Sequence, residues 1–235
     1  MRITRGRLTR GKPLATSTSA VGRVPPPMPL PTTPYTIFQH SIVRARNLVT
    51  IHGLAHGARA RPHAFLADAH RAAIVLAVSA LDAFVRTFVI DRIVSIVGTP
   101  AKTISPVLRE RIKGCLSHDS VLDSARAGDI TSRVERALRD SFDTQSFQGV
   151  EKITEAMKLL GYRDVFETMA AAAGVNERNL KKDLGTFTQR RHLIAHRGDF
   201  DLDQTPPAEN KILKEDVLKC IKTVELVARE IAKLA

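Results

Sequence analysis

Residues 188–199 hold the side chains best suited to chemistry, because three arginines and two histidines fall within this short stretch. They are Arg190, Arg191, His192, His196 and Arg197. Imidazole takes up and releases protons near neutral pH, whereas a guanidinium stays charged and fits phosphate oxygens with a fixed fork of donors. Such groups suffice to cleave RNA without a metal ion. The ribose 2′-oxygen would attack the adjacent phosphorus, leaving 2′,3′-cyclic phosphate and 5′-hydroxyl ends.

Metal-dependent hydrolysis is a weaker interpretation of the same stretch. His192 and His196 are spaced like two zinc ligands on a helix, but Leu193 replaces the glutamate that follows the first histidine in zinc proteases. Residues 199–210 carry several aspartates but lack the glycine and the final glutamate of a calcium loop. The sequence therefore predicts no metal site and no cofactor.

Binding without chemistry is the third interpretation. Arg190 and Arg197 are candidate phosphate contacts of an RNA-binding surface. The cluster has no interleaved aromatic residues, which would indicate base stacking.

Helical spacing places Arg191 on the apolar side of its own helix. Leu180, Leu184 and Phe187 define an apolar stripe when successive residues turn by about 100°. Arg191 falls within this stripe, where an unpaired charge is costly. It must therefore meet a carboxylate, line a cleft or face a second subunit. Asp82 lies in the most apolar part of an earlier helix. It is the candidate carboxylate for a purely structural ion pair with Arg191.

The surrounding elements are predicted to be helices. The chain of 235 residues has no Trp, 2 Tyr and 9 Phe, so Leu, Ile, Val and Ala must build the core. Apolar spacing and end signals predict helices over 37–52, 64–97, 105–116, 132–142, 147–160, 164–173, 176–197 and 212–234. Ser132 and Glu135 are interpreted as a capping box. We expect an all-α antiparallel bundle over residues 35–235.

Residues 1–34 are rich in Arg, Thr, Ser and Pro, a composition typical of a disordered basic arm. Ten basic side chains precede the first acid, Asp68, so residues 1–67 carry +10 of the total charge of +12. This asymmetry suggests a polyanionic partner such as nucleic acid. Three interpretations of the arm stay open: a nucleic-acid arm, a targeting peptide, or an upstream extension with Met28 as the true start.

Cysteine usage and hydropathy suggest the compartment. Cys115 and Cys220 are far apart and belong to no CxxC motif, so neither a disulfide framework nor a cysteine-based zinc site is indicated. The most apolar run, residues 72–90, contains Asp82 and Arg86, which would be costly in the middle of a membrane. We therefore expect a cytoplasmic protein with a buried central helix and no membrane span.

Two segments resemble the HEPN superfamily. The segment Arg191-His-Leu-Ile-Ala-His196 resembles its R-x4–6-H signature, and Ser79-Ala-Leu-Asp-Ala-Phe-Val85 is similar to its earlier helix, particularly in the RiboL-PSP branch. The resemblance implies an all-α ribonuclease that needs no metal, with Arg191 and His196 as the catalytic pair. His192 occupies a polar position that is often Asn in other members, and its supporting role is left open.

The resemblance also implies a homodimer in which motifs of both protomers meet in one RNA-cleaving cleft. His196 lies about 140° around an ideal helix from Arg191, and a second subunit would bring the two together. Asp82 would hold Arg191 or a histidine in position. Because HEPN proteins occur in toxin–antitoxin, antiviral and RNA-processing systems, an antitoxin or regulatory partner is expected. The alternative is a catalytically inactive HEPN-like module that binds RNA or protein.

Overall fold

The computed structural model describes residues 33–55 and 64–234, and within them the prediction of an all-α fold is confirmed. The helices are α1 (Pro34–Ala55), α2 (Ala64–Val97), α3 (Pro106–Cys115), α4 (His118–Ala127), α5 (Ile130–Asp143), α6 (Val150–Leu159), α7 (Val165–Ala173), α8 (Glu177–Arg197) and α9 (Lys214–Ala232). A short antiparallel hairpin, β1 (Phe200–Asp201) and β2 (Ala208–Glu209), joins α8 to α9. The predictions for the arm up to residue 32 lie outside the described residues.

The central element is α2, which packs against α1, α5, α6, α8 and α9. Its buried positions include Leu81, Val85 and Ile93, none of which exposes any surface. Phe84 of α2 contacts Phe38 of α1 with ring centroids 5.7 Å apart. Because a helix surrounded by others must be apolar on most of its circumference, this packing explains the Ala-rich sequence of α2.

The segment Ala67–Val97 of α2 is also long and apolar enough to cross a membrane, with a mean hydropathy of 2.0 in its most apolar window. In the folded protein, 61% of that window is buried. Packing within the bundle therefore accounts for the apolar character of this helix.

The middle of the chain departs most from the predicted helix ends. Helix α4 was not predicted, and its two large apolar residues, Val121 and Leu122, are both exposed. Helix α5 begins at Ile130 after Asp129, so Ser132 lies inside the first turn and the predicted capping box does not form. Glu135 instead pairs with Arg139 one turn later, at 2.7 Å.

One carboxylate of the final helix is buried. The side chain of Glu230 in α9 is 2% exposed and accepts hydrogen bonds from Lys233 Nζ at 2.6 Å and Arg229 Nε at 2.9 Å. The bond from Lys233 is the main cause that lowers the pKa of Glu230, against the opposing effect of burial. A carboxylate with a lowered pKa in the folded state stabilises the fold above its unfolded-state pKa, and this contribution is lost as pH falls.

Glu230→Gln is therefore expected to destabilise the protein at pH 7 by about 1–2 kcal/mol, and by less at pH 4. Urea unfolding at the two pH values measures both differences. Glu155→Gln is the matched control, because Glu155 pairs with Lys152 at the same sequence spacing but is 63% exposed. Equal losses for Glu230→Gln at both pH values would contradict this role of the carboxylate.

Candidate nucleic-acid-processing site

The motif residues lie in the last turns of α8, and both ends of this helix are defined by local signals. The Oδ1 atom of Asn176 accepts the backbone N–H of Asn179 at 3.0 Å, as an N-cap does. At the other end Gly198 adopts a left-handed conformation with φ of 59°. Asp199 follows with φ of 67°, and its N–H donates to the carbonyl of Leu193. The helix thus stops just after His196 and Arg197, as predicted from the sequence.

Asp199 organises the structure beyond this helix end. Its side chain is fully buried and accepts hydrogen bonds from Arg190 at 2.6 Å and from Arg71 of α2 at 2.8 Å. Burial alone would lower the pKa of Arg71, but the bond to Asp199 and nearby acids outweigh it, so that this pKa is raised. Both guanidiniums also donate to the carbonyl of Asn210. We call Arg71, Arg190 and Asp199 the anchor cluster.

The anchor cluster changes the role expected for Arg190. The sequence predicted a phosphate contact, but the structure commits this guanidinium to Asp199 and to the carbonyls of Asn210 and Lys211. All three bonds come from Nη2, whereas the buried Nε has no partner and Nη1 bonds to no described residue, so a phosphate contact of Arg190 would have to use Nη1. Arg190 therefore joins the end of α8 to the hairpin.

Asp82 also differs from its expected role. Its carboxylate accepts the backbone N–H of Phe147, lies 3.4 Å from Ser146 Oγ and pairs with Arg86 at 3.2 Å. These partners fix the connection between α5 and α6. No ion pair joins Asp82 to Arg191 within the protomer, because the carboxylate is turned toward this connection. The same contacts explain why α6 begins at Val150 rather than at the predicted Phe147.

Arg191 contrasts with the arginine that precedes it. The Nε atoms of both arginines are buried without a hydrogen-bond partner, but the half-buried Arg191 also makes no other hydrogen bond to a described residue. Within residues 33–55 and 64–234, no carboxylate forms an ion pair with Arg191. A half-buried cation without a counter-charge is costly to the fold, and an anionic ligand would offset that cost.

The two histidines of the motif lie together. His192 and His196 are both exposed, and their ring centroids are 4.5 Å apart at an interplanar angle of 43°. No hydrogen bond joins either ring to Arg191 within the protomer. Arg197, one residue beyond, is exposed and has no ion-pair partner among the described residues. The structure therefore brings the two imidazoles together and forms no hydrogen bond between them and Arg191 within the protomer.

A groove of about 480 Å³ runs between α2 and the end of α8. Its apolar lining includes Val75, Leu76 and Ile194, and Arg71 and Gly198 lie along it. The groove adjoins the motif and leaves room for a ligand or for a second protein surface. In the described part of the chain, no three His, Cys, Asp or Glu side chains converge as metal ligands do.

Sequence reasoning missed Arg71 and Asp199 as partners. They are separated by 128 positions, and only the tertiary fold brings them together. One local signal was present in the sequence. Asp199 directly follows Gly198, which ends the helix, so side chains in the last turns of α8 can reach it.

An all-α bundle with an Arg-x4-His motif at the end of a helix defines a domain of the HEPN type. Residues 44–235 match the model of the RiboL-PSP-HEPN family, which is most of the chain, and the chain therefore belongs to that family. The family comprises nucleases and RNA-binding modules. No curated protein and no solved structure shows significant similarity to the chain.

Proposed function

We propose that the protein is a metal-independent endoribonuclease that acts as a homodimer. It cleaves RNA by attack of a ribose 2′-oxygen on the adjacent phosphorus, breaks the bond to the 5′-oxygen, and leaves 2′,3′-cyclic phosphate and 5′-hydroxyl ends. Arg191 stabilises the charge that builds on the phosphoryl oxygens, and His196 transfers the proton. Arg197 contacts a neighbouring phosphate.

The observation that carries this proposal is the contrast between two consecutive arginines. Arg190 is neutralised by the buried Asp199 at 2.6 Å, whereas Arg191 has no carboxylate partner among the described residues. Arg111, which is also half-buried and lacks a carboxylate partner in the described part of the chain, is held by Ser141 Oγ at 2.9 Å and by the ring of Phe142. Arg191 makes no such contact with a described residue. Retaining an unpaired cation at a partly buried position destabilises the protein, and binding of a phosphate would offset that cost.

The histidine geometry supports a site shared between two protomers. An in-line displacement at phosphorus needs the attacking and leaving oxygens on opposite sides. His192 and His196 of one chain are only 4.5 Å apart, so they lie on the same side of any bound phosphate. A two-fold axis next to the groove would supply an opposing imidazole and would bring Arg191 near the partner's His196.

The exposure of the site is the reason to propose a regulatory partner. His192, His196 and Arg197 are open to solvent, and no described segment covers them. An uncovered ribonuclease would attack the RNA of its own cell, so a toxin or defence role with a restraining antitoxin is the biological setting that we propose. The catalytically inactive binding module is the alternative.

The decisive experiment incubates the full-length protein with single-stranded RNA in EDTA and identifies the product ends. We expect RNA cleavage with 2′,3′-cyclic phosphate termini and no cleavage where a single 2′-deoxynucleotide replaces the ribose, because the nucleophile is then missing. His40→Ala is a matched histidine control, because α1 makes no packing contact with α8. RNA binding without turnover under any condition would instead establish the binding module.

A further inference from the structure

We infer that Phe200 is a base-stacking residue that binds a nucleobase next to the scissile phosphate, an inference that rests on the proposed function. Its side chain is 41% exposed, whereas the seven other phenylalanines whose burial is described are at most 6% exposed. Burial of an aromatic ring stabilises a fold, so the fold alone gives no reason to leave this one in solvent.

The hairpin exposes Phe200 on one of its faces. Successive side chains of a strand point to opposite faces, and in β1 Phe200 is exposed whereas the following Asp201 is half-buried. Phe200 also pairs with Glu209 across the hairpin, and Glu209 lies 3.3 Å from Arg71.

The ring lies at the end of the helix that carries the motif. Two ring carbons of Phe200 lie 3.6 and 3.8 Å from the point where a Cβ of Gly198 would stand. Gly198 itself lines the groove between α2 and α8. Phe200 lies four positions beyond His196, a span of at most about 14 Å between Cα atoms. One short RNA segment can therefore meet both the imidazole and the ring.

The acids of the hairpin have different partners, since Glu209 pairs with Arg71 at 3.3 Å, Asp203 is exposed, and Asp201 bonds within the hairpin. Asp201 accepts the N–H of Asp203 at 3.1 Å and the side-chain amide of Gln204 at 2.7 Å. Arg197, a cation close to Phe200 in the sequence, is exposed and has no ion-pair partner among the described residues. The surface thus offers a cation for a phosphate and an aromatic face for a base, the combination that binds single-stranded nucleic acid.

The test uses a 2′-O-methyl RNA that contains 2-aminopurine, whose fluorescence is quenched when the base stacks. This oligonucleotide lacks the 2′-hydroxyl, so binding is measured whether or not the protein cleaves RNA. Full-length protein is expected to quench the probe, and Phe200→Ala to weaken binding about 5- to 100-fold. Phe200→Trp should retain both the affinity and the quenching.

The matched control is Leu202→Ala, which removes an exposed apolar side chain from the same hairpin without removing a ring. It should bind the probe like the unaltered protein. The salt dependence of binding should be unchanged in Phe200→Ala, because no phosphate contact is lost. Unchanged affinity of Phe200→Ala, an equal loss in Leu202→Ala, or dissociation of a dimer by Phe200→Ala would overturn the inference.

Discussion

Arg191→Ala and His196→Ala are each expected to lower the rate of RNA cleavage by at least about 100-fold, while the folded structure is retained. Proton transfer by a positioned side chain typically contributes about 10²- to 10⁴-fold, and loss of one oxyanion-stabilising group has a similar effect. Neither residue forms an ion pair with a described residue, so neither substitution leaves a buried carboxylate unpaired. Initial rates on a labelled RNA, with thermal unfolding in parallel, measure the effect.

Mixing these two inactive variants tests the shared site directly. When the chains are co-expressed with different tags, a mixed dimer contains one intact pair, Arg191 from one chain and His196 from its partner. With random pairing about a quarter of the original activity should return, because half of the dimers are mixed and each has one intact pair. Sustained inactivity of the purified mixed dimer would show that the pair acts within a single protomer.

Asp199→Asn is expected to destabilise the protein by about 3–5 kcal/mol, the largest stability effect that we predict. The substitution keeps the size of the side chain, and Asn tolerates the positive φ at this position. It removes only the charge, which leaves Arg71 and Arg190 facing each other without a buried counter-charge. Urea unfolding at pH 7 measures the loss.

The control for this substitution is Asp203→Asn, because Asp203 lies exposed in the same hairpin. It should change stability by no more than about 0.5 kcal/mol. Backbone hydrogen exchange adds a local measurement, since Asp199→Asn should speed exchange at the end of α8 and in the hairpin. A stability loss below about 1 kcal/mol would mean that the two arginines find other partners and that Asp199 is not the centre of the cluster.

Local signals predicted the elements that carry the motif. Helix α8 was predictable because Asn176 caps its first turn and Gly198 ends its last. The apolar stretch of α2 identified the central helix in the same way. Such signals act within a few residues of one another, so they can be recognised in the sequence without knowledge of the fold.

Contacts between distant elements could not be predicted. The helical wheel placed Arg191 on the apolar stripe and suggested Asp82 as its partner, but Asp82 holds the connection before α6 through Phe147. Arg190 is the arginine that is neutralised, because its partner Asp199 comes from the turn beyond the helix. A wheel describes only directions around one axis and contains no information about the path of the chain beyond the helix end.

The consecutive positions of Arg190 and Arg191 have a consequence for comparing proteins of this kind. Neighbouring side chains leave a helix about 100° apart. The direction toward Asp199 therefore determines which of the two consecutive arginines forms the structural ion pair. Inserting one residue between Arg191 and Gly198 would place Arg191, instead of Arg190, nine positions before the carboxylate and would exchange their roles. The number of residues between the motif arginine and the motif histidine is therefore linked to the position at which the chain turns after this helix. Proteins whose chain turns at another position need a different Arg–His spacing to leave the motif arginine unpaired.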